Sequence, residues 1–374
     1  MQFIDLKAQQ DRIKNSIEAR INKVLEHGNY ILGPEVKELE TKLAAYTGTK
    51  YAVGVASGTD ALLMPLMAYE VGPGDAVFTS PFTFIATAEV IRLLRATPVF
   101  VDVDPDTYNI DPKKLEEAIL KTQQEGRLKL KGVIPVDIFG QAAEYDEINA
   151  ISRKYGLFVI EDAAQSFGAT YKKRKSCSLA NVGATSFFPA KPLGTYGDGG
   201  MCFTDDPALF DRLGSIRVHG KGTDKYDNIR VGINGRLDTL MAAILLAKIE
   251  IFDEEIDLRQ EVAHRYNEGL KDHVRTPYVR DYNISAWAQY SILHRDRNKA
   301  MAALKEAGIP TAIYYPKPLH LQEAFRDLGL KKGDFPVTEK ISDTVFSIPF
   351  HPYLRAADQD RIIEIIRKTA VTGE

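Results

Sequence analysis

Cysteine is nearly absent: Cys177 and Cys202 are the only two in 374 residues. Two thiols in so long a chain give no disulfide framework, so both are read as reduced. The seven histidines never fall at H-x-H or H-E-x-x-H spacing, which leaves a metal site without support. No apolar run approaches the roughly 20 residues that cross a bilayer, and the N-terminus from Met1 to Lys7 is no signal peptide. A cytoplasmic protein away from membranes is therefore expected. Charge of one sign is missing too: a net charge of −3 and a pI near 6.2 supply no field for nucleic acid. Neither G-x-G-x-x-G nor a P-loop occurs, which removes the simplest routes to dinucleotides and nucleoside triphosphates.

What is present is an ordinary globular composition, 44% hydrophobic and 26% charged, in a chain long enough for two domains. Ile13, Ile17, Ile21, Val24 and Leu25, and then Val36, Leu39 and Leu43, recur at helical spacing on either side of the irregular connector 28–34. Strands are predicted at 51–55, 76–79, 98–101, 132–136, 157–160, 184–186 and 201–204, with helices at 61–69, 85–94, 112–118 and 148–155 among them. Such alternation predicts an α/β fold, a mainly parallel mixed sheet between helices. One long helical pattern, 237–270, then leads into a smaller α+β C-terminal domain with strands at 288–293 and 311–315 and helices at 299–307 and 357–366. The expected division is 1–245 and 246–374, with the N-terminal helices free to pack on the smaller part.

Two stretches carry chemistry. Ser186–Gly200 holds a single lysine, Lys191, between Pro189 and Pro192 in an aromatic and glycine-rich setting whose only other charge is Asp198. Such surroundings depress an amine's pKa and make it a nucleophile; a surface loop with a solvated lysine is the plain alternative. The second stretch lies upstream, where the apolar run Leu157–Ile160 ends in Glu161 and Asp162, with Gln165 three residues on. A strand delivers polar groups to the carboxyl edge of an α/β sheet in this way. A carboxylate for a pyridinium nitrogen and a lysine for an imine are the paired requirements of pyridoxal phosphate chemistry.

The turn Ala56-Ser57-Gly58-Thr59-Asp60, between a predicted strand and helix, reads as an anion site, with plain N-capping by Ser57, Thr59 or Asp60 as the alternative. Pro81-Phe82-Thr83-Phe84 could cover a flat ring with one aromatic or merely fill core. Residues 211–236 carry six Lys/Arg against three Asp, which is ordinarily a solvated face.

Taken together the chain resembles the DegT/StrS family of sugar-nucleotide aminotransferases along nearly its whole length. The resemblance rests on Phe3-Ile4-Asp5-Leu6, Gly33-Pro34-Glu35-Val36, Gly58-Thr59-Asp60-Ala61-Leu62, Glu161-Asp162-Ala163-Ala164-Gln165, Ser186-Phe187-Phe188-Pro189-x-Lys191, Gly197-Asp198-Gly199-Gly200 and Asn234-x-Arg236. It implies the aspartate-aminotransferase-like architecture (fold type I), pyridoxal 5′-phosphate passing through its pyridoxamine form, and a homodimer with shared active sites. Within the family the likeness is strongest to members acting on UDP-2-acetamido-2-deoxy-3-oxo-glucuronate in surface-polysaccharide (O-antigen) synthesis. Tyr314-Tyr315-Pro316 departs from the His-Tyr-Pro common there, which puts the role of position 314 in doubt, and Ala190 replaces a frequent serine.

By the same resemblance Lys191 forms the imine and moves protons, and Asp162 keeps the ring nitrogen protonated. Gln165 bonds the ring hydroxyl and Phe84 stacks on the ring. Ser57, Gly58, Thr59 and Ser186 take the phosphate, with Asn234 reaching it from a neighbouring subunit. Gly28, Tyr30, Arg236, Tyr314 and Tyr315, with Lys191, line the sugar-nucleotide pocket. Glutamate would be the amino donor, leaving 2-oxoglutarate. Rival readings are a 4-keto or dTDP-keto-sugar aminotransferase, a pyridoxamine-dependent sugar dehydratase, and a non-catalytic sensor of the same fold. The dehydratases have histidine where Lys191 stands, and a sensor should have lost Lys191 or Asp162. A nucleotide-sugar dehydrogenase would need the missing fingerprint.

Overall fold

The computed structural model describes residues 1–224 and 226–370. In chain order the strands are β1 (Tyr51–Val55), β2 (Asp75–Thr79), β3 (Thr97–Phe100), β4 (Lys129–Ile134), β5 (Phe158–Asp162), β6 (Thr170–Tyr171), β7 (Arg174–Lys175), β8 (Val182–Ser186), β9 (Gly200–Thr204), β10 (Asn283–Ile284), β11 (Tyr290–Leu293) and β12 (Val345–Ile348). Seven of them form the central sheet in the order β1-β9-β8-β5-β4-β2-β3. Every pairing from β8 to β3 is parallel, while β9 runs antiparallel to both β8 and β1. The carboxyl ends of β1, β2, β4, β5 and β8 thus share one edge, and β9 begins there at Gly200.

Helices cover both faces because successive strand residues point to opposite sides. Val53, Val77, Ile134, Ile160 and Val182 pack under α3 (Gly58–Ala68), α4 (Ala86–Leu93) and α7 (Pro207–Ile216). Their neighbours Phe78, Val133 and Val159 meet helices 112–125 and 145–155 on the other face. Ala52, Met201 and Phe203 meet helices 34–47 and 239–248. Strands β2, β8 and β9 are buried at every residue, as a sheet covered twice demands.

Beyond this sheet, β11 and β12 pair antiparallel against helices 252–270, 297–306 and 356–369 around Tyr290, Ile292, Phe346 and Ile348. The expected boundary after residue 245 falls inside helix 239–248, whose Leu245 and Leu246 share one cluster. We propose instead that the domains meet within helix 252–270, whose Phe252 and Ile256 join the first core and whose Val262 to Leu270 join the second. Helix 6–27 packs on the first part, Ile13 and Ile17 on Ile244 and Gln9 on the buried Glu255, while Phe3 just before it accepts the Phe350 N–H of the second.

The predicted single helix over 237–270 is two, 239–248 and 252–270. The break turns Ile249 into one cluster and Ile251 into another, which a straight helix could not do. Residues 311–315 are not a strand: they touch the sheet only through the Ala312–Ser347 bridge before Pro316 and Pro318 lead the chain away. Helix α7 was hidden in the basic segment. Asp206 caps it through the N–H groups of Ala208 and Leu209, Pro207 opens it, and Leu209, Leu213 and Ile216 face inward. Two arginines of that segment are used inside the chain, Arg212 on the Ala68 carbonyl and Arg217 on Glu40. Lys225, counted in it, lies outside the described residues. Both cysteines are free and buried, and no described helix is long and apolar enough to cross a membrane.

Candidate active site

The shared carboxyl edge collects most of the residues singled out from the sequence. Ser57 lies two residues past β1 and caps α3, its Oγ accepting the Asp60 N–H at 3.0 Å. Capping and anion binding are compatible here, because the N–H groups of Gly58 and Thr59 remain free at the positive helix end. Close packing fixes the floor of this cradle. A Cβ on Gly58 would stand 2.6 Å from Ser186 Cβ, and one on Gly200 would stand 2.4 Å from the Ser57 carbonyl oxygen. Ser57, Gly58 and Ser186 are therefore packed tightly against one another at the start of α3.

Asp162 ends β5 and is buried. Its Oδ2 accepts from Thr87 Oγ at 2.8 Å and its Oδ1 from the Ala164 N–H at 3.2 Å. Burial raises its pKa, while Thr87, Ala164 and the charge of Lys191 oppose that rise. Lys191 follows β8 on a turn closed by its own N–H to the Phe188 carbonyl. Burial lowers the amine's pKa against the pull of Asp162, and among the described residues no hydrogen bond or ion pair holds its Nζ. A half-buried amine with no side-chain partner among the described residues, its basicity lowered by desolvation and facing a buried carboxylate, is a candidate nucleophile rather than a fully solvated loop lysine.

The two aromatics of 81–84 divide the roles offered for them. Phe82 is fully buried among Tyr108, Phe139 and Tyr315, whereas Phe84 is 58% exposed. Gln165 is buried, accepting the Phe139 N–H at 2.8 Å and donating to Tyr315 Oη at 3.1 Å, which leaves one amide N–H. Tyr315 and Tyr314, in T-shaped contact, are carried onto the edge by the cluster joining Ile341 and Val345 to Phe82 and Phe139. Burial raises both phenol pKa values, so both stay neutral donors.

Gly28, Tyr30, Asn234 and Arg236 gather on the flank beside β1. Gly28 caps helix 6–27, the Tyr30 carbonyl accepts the Thr239 N–H at 3.0 Å, and Ile31 bridges Asp238. Arg236 pairs its backbone with Val55, two residues before Ser57, and its Nε is buried without a partner among the described residues. Asn234 is exposed, its side chain unbonded among the described residues.

Sequence reading missed Thr87, Thr83 and Asp137. Thr83 and Thr87 bond each other at 3.0 Å across the start of α4, and their i, i+4 spacing was the available signal. Valine at 87 would remove a donor from Asp162 and raise its pKa further. Thr87→Val is expected to lower turnover about tenfold, near 1.4 kcal/mol, with Thr87→Ser restoring it. Equal turnover in the valine variant would show that the bond does not tune the carboxylate.

Fold and site define a class, the fold-type-I α/β enzymes, with a lysine, a strand-end carboxylate and a helix start brought to one sheet edge. The profile of the DegT/DnrJ/EryC1/StrS aminotransferase family matches residues 11–367, and the chain belongs to that family. It is 53% identical to a UDP-2-acetamido-2-deoxy-3-oxo-D-glucuronate aminotransferase from Pseudomonas aeruginosa, over 96% of this chain and 97% of that one. A solved DegT DnrJ EryC1 StrS aminotransferase from Brucella abortus superposes with a TM-score of 0.97 at 54% identity, covering 99% of both chains. NtdA from Bacillus subtilis, solved with bound cofactor PMP, superposes with a TM-score of 0.87 at 28% identity, covering 98% of this chain and 83% of that one.

Proposed function

We propose that this protein is a pyridoxal phosphate-dependent aminotransferase that moves an amino group from L-glutamate to the C3 ketone of UDP-2-acetamido-2-deoxy-3-oxo-glucuronate. The observation that carries this reading is the half-buried Lys191 amine facing the buried Asp162 carboxylate, beside the tightly packed Ser57, Gly58 and Ser186. Pyridoxal phosphate, when bound, supplies an electron sink that acidifies the bonds around the donor's α-carbon. The chain's own residues do the rest. The N–H groups at the start of α3 and the Ser186 hydroxyl would hold the phosphate. The Asp162 carboxylate would keep the ring nitrogen protonated, Gln165 would offer its remaining N–H to the ring hydroxyl, and the exposed Phe84 would supply an aromatic face for the ring. Lys191 Nζ, its basicity lowered by desolvation, would take the proton from the donor's α-carbon. The half-buried Arg236 guanidinium would offer charge-assisted bonds to a UDP-uronate, which carries a diphosphate and a carboxylate. Tyr30 and the phenols of Tyr314 and Tyr315 line the sugar side. Free, buried thiols support the cytoplasm as the place of action.

The substrate assignment is tested with a panel of 3-oxo and 4-oxo UDP- and dTDP-sugars, each with glutamate. The 3-oxo UDP-uronate should give the highest kcat/KM and a C3 amine. A preference for a 4-oxo or dTDP sugar would replace it. In the same assays Arg236→Ala should raise the sugar-nucleotide KM far more than the glutamate KM.

The active site is proposed to be shared across a homodimer. Exposed Asn234, with Ile229 at 58% and Val231 at 85% exposure on the same loop, supports an interface there. Because Arg236 also borders its own β1, the alternative of a self-contained site needs a decisive experiment. Lys191→Ala and Arg236→Ala proteins are unfolded together and refolded. If Arg236 serves the partner's site, a mixed dimer has one intact site, and about a quarter of wild-type activity returns. Background activity, with mixed dimers verified by mass spectrometry, would mean that each chain completes its own site.

A further inference from the structure

Behind the site, two buried carboxylates stand at the ends of one line of hydroxyls. Tyr145 Oη lies 2.9 Å from Asp137 Oδ1, and Ser166 Oγ lies 2.7 Å from Asp137 Oδ2. Ser166 Oγ and Ser176 Oγ are 2.6 Å apart, and Ser176 Oγ lies 2.9 Å from Glu161 Oε1. Asp137, Ser166 and Glu161 are fully buried, and among the described residues no ion pair reaches either carboxylate. The N–H groups of Ala143, Cys177 and Leu179 also donate to them, which brings dipoles but no counter-charge.

Proton counting decides the charge of this line. Each oxygen–oxygen contact of such length needs a hydrogen between its atoms. Tyr145, Ser166 and Ser176 supply three O–H groups for four contacts. With both carboxylates ionised, Ser166 and Ser176 would face each other at 2.6 Å without a proton. One added proton repairs this. Placed on Glu161, it lets Glu161 donate to Ser176, Ser176 to Ser166 and Ser166 to Asp137. Placed on Asp137, it reverses the same three bonds. Burial without a counter-ion points the same way: burial and the Glu161 charge raise the Asp137 pKa, and burial raises that of Glu161.

We infer that Asp137 and Glu161 hold one proton between them at neutral pH, and that this singly charged line is the positioning device for Asp162 and Gln165. Glu161 precedes Asp162 on β5, and the Asp137 N–H donates to the Asp162 carbonyl at 3.1 Å. Ser166 follows Gln165, whose Oε1 is held by the Phe139 N–H just beyond Asp137. The line therefore ties the exit of β4 to the turn after β5, on both sides of the residues proposed to hold the cofactor. Only the roles of Asp162 and Gln165 rest on the proposed function; the proton does not.

Tyr145, Cys177 and Asp162 are the other titratable groups facing the pair. Burial and the two carboxylates keep the Tyr145 phenol and the Cys177 thiol protonated, and Asp162 turns its oxygens to Thr87 and Ala164. Asp137→Asn copies the form protonated at Asp137: its Oδ1 still accepts from Ala143 and Tyr145, and its amide donates to Ser166. Infrared spectra of the holoenzyme at about pH 7 should contain the carbonyl stretch of a buried carboxylic acid, absent from Asp137→Asn and from Glu161→Gln. A second readout is stability. The native state binds a proton that the unfolded chain has lost, so the wild-type urea midpoint should fall from about pH 5 to about pH 8, less steeply in Asp137→Asn. For positioning, Asp137→Ala should weaken pyridoxal phosphate binding about tenfold and shift its visible band, with Asp137→Asn restoring both. An acid band missing from the wild type, or surviving in both variants, overturns the shared proton. If Asp137→Asn fails to fold, Glu161→Gln and the wild-type spectrum still decide. Unchanged cofactor binding and spectrum in Asp137→Ala overturn the positioning role.

Discussion

Lys191→Ala should bring turnover to background, a loss of more than about 10⁴-fold, while the protein folds and still binds cofactor noncovalently. The half-buried Lys191 amine has no hydrogen bond or ion pair among the described residues, so its desolvation is offset only by the charge of Asp162. Removing it should leave the melting temperature unchanged or higher. The turn that carries it is held by backbone bonds, Lys191 N–H to the Phe188 carbonyl and Thr195 N–H to the Phe187 carbonyl, which alanine retains. The phosphate cradle and Asp162 are untouched. A stable variant with intact cofactor affinity and no turnover separates chemistry from folding. Substantial turnover would show that another group moves the proton at the donor's α-carbon.

The second large effect is expected at the other half of the pair. Asp162→Asn should keep the fold, because the amide oxygen can still accept the Thr87 hydroxyl and the shape is nearly unchanged. It removes the negative charge that holds the ring nitrogen protonated. The expected loss is at least about 100-fold in turnover, near 2.7 kcal/mol of transition-state stabilisation. Asp162→Glu is the control, keeping charge but moving it by a methylene. Near-normal turnover in the asparagine variant would mean that the carboxylate does not face the ring.

Much of this arrangement was legible in the sequence for physical reasons. Strands buried on both faces read as apolar runs, and the runs ending at Ile160 and Ser186 delivered Asp162 and Lys191 to one edge. Ser57 was legible as a cap, and its surroundings make cap and anion site the same feature. Asp137 was not legible, although it also ends an apolar run, because its partners Ser166 and Ser176 lie far along the chain. Thr87 was lost for the same reason, its contact with Asp162 spanning 75 residues. The 311–315 strand failed because apolar residues there serve the contact between Tyr315 and Phe82. The split of 237–270 failed because no proline or glycine marks it, only the pull of two separate cores on Ile249 and Ile251.

The most direct test is to locate the covalent bond to the cofactor. Protein loaded with pyridoxal phosphate is reduced with borohydride, digested, and mapped by mass spectrometry, with a parallel sample first bleached by glutamate. The account predicts the pyridoxyl label on Lys191 alone, and none in the sample taken through the glutamate half-reaction. A label on any other lysine, or none before glutamate is added, would contradict it.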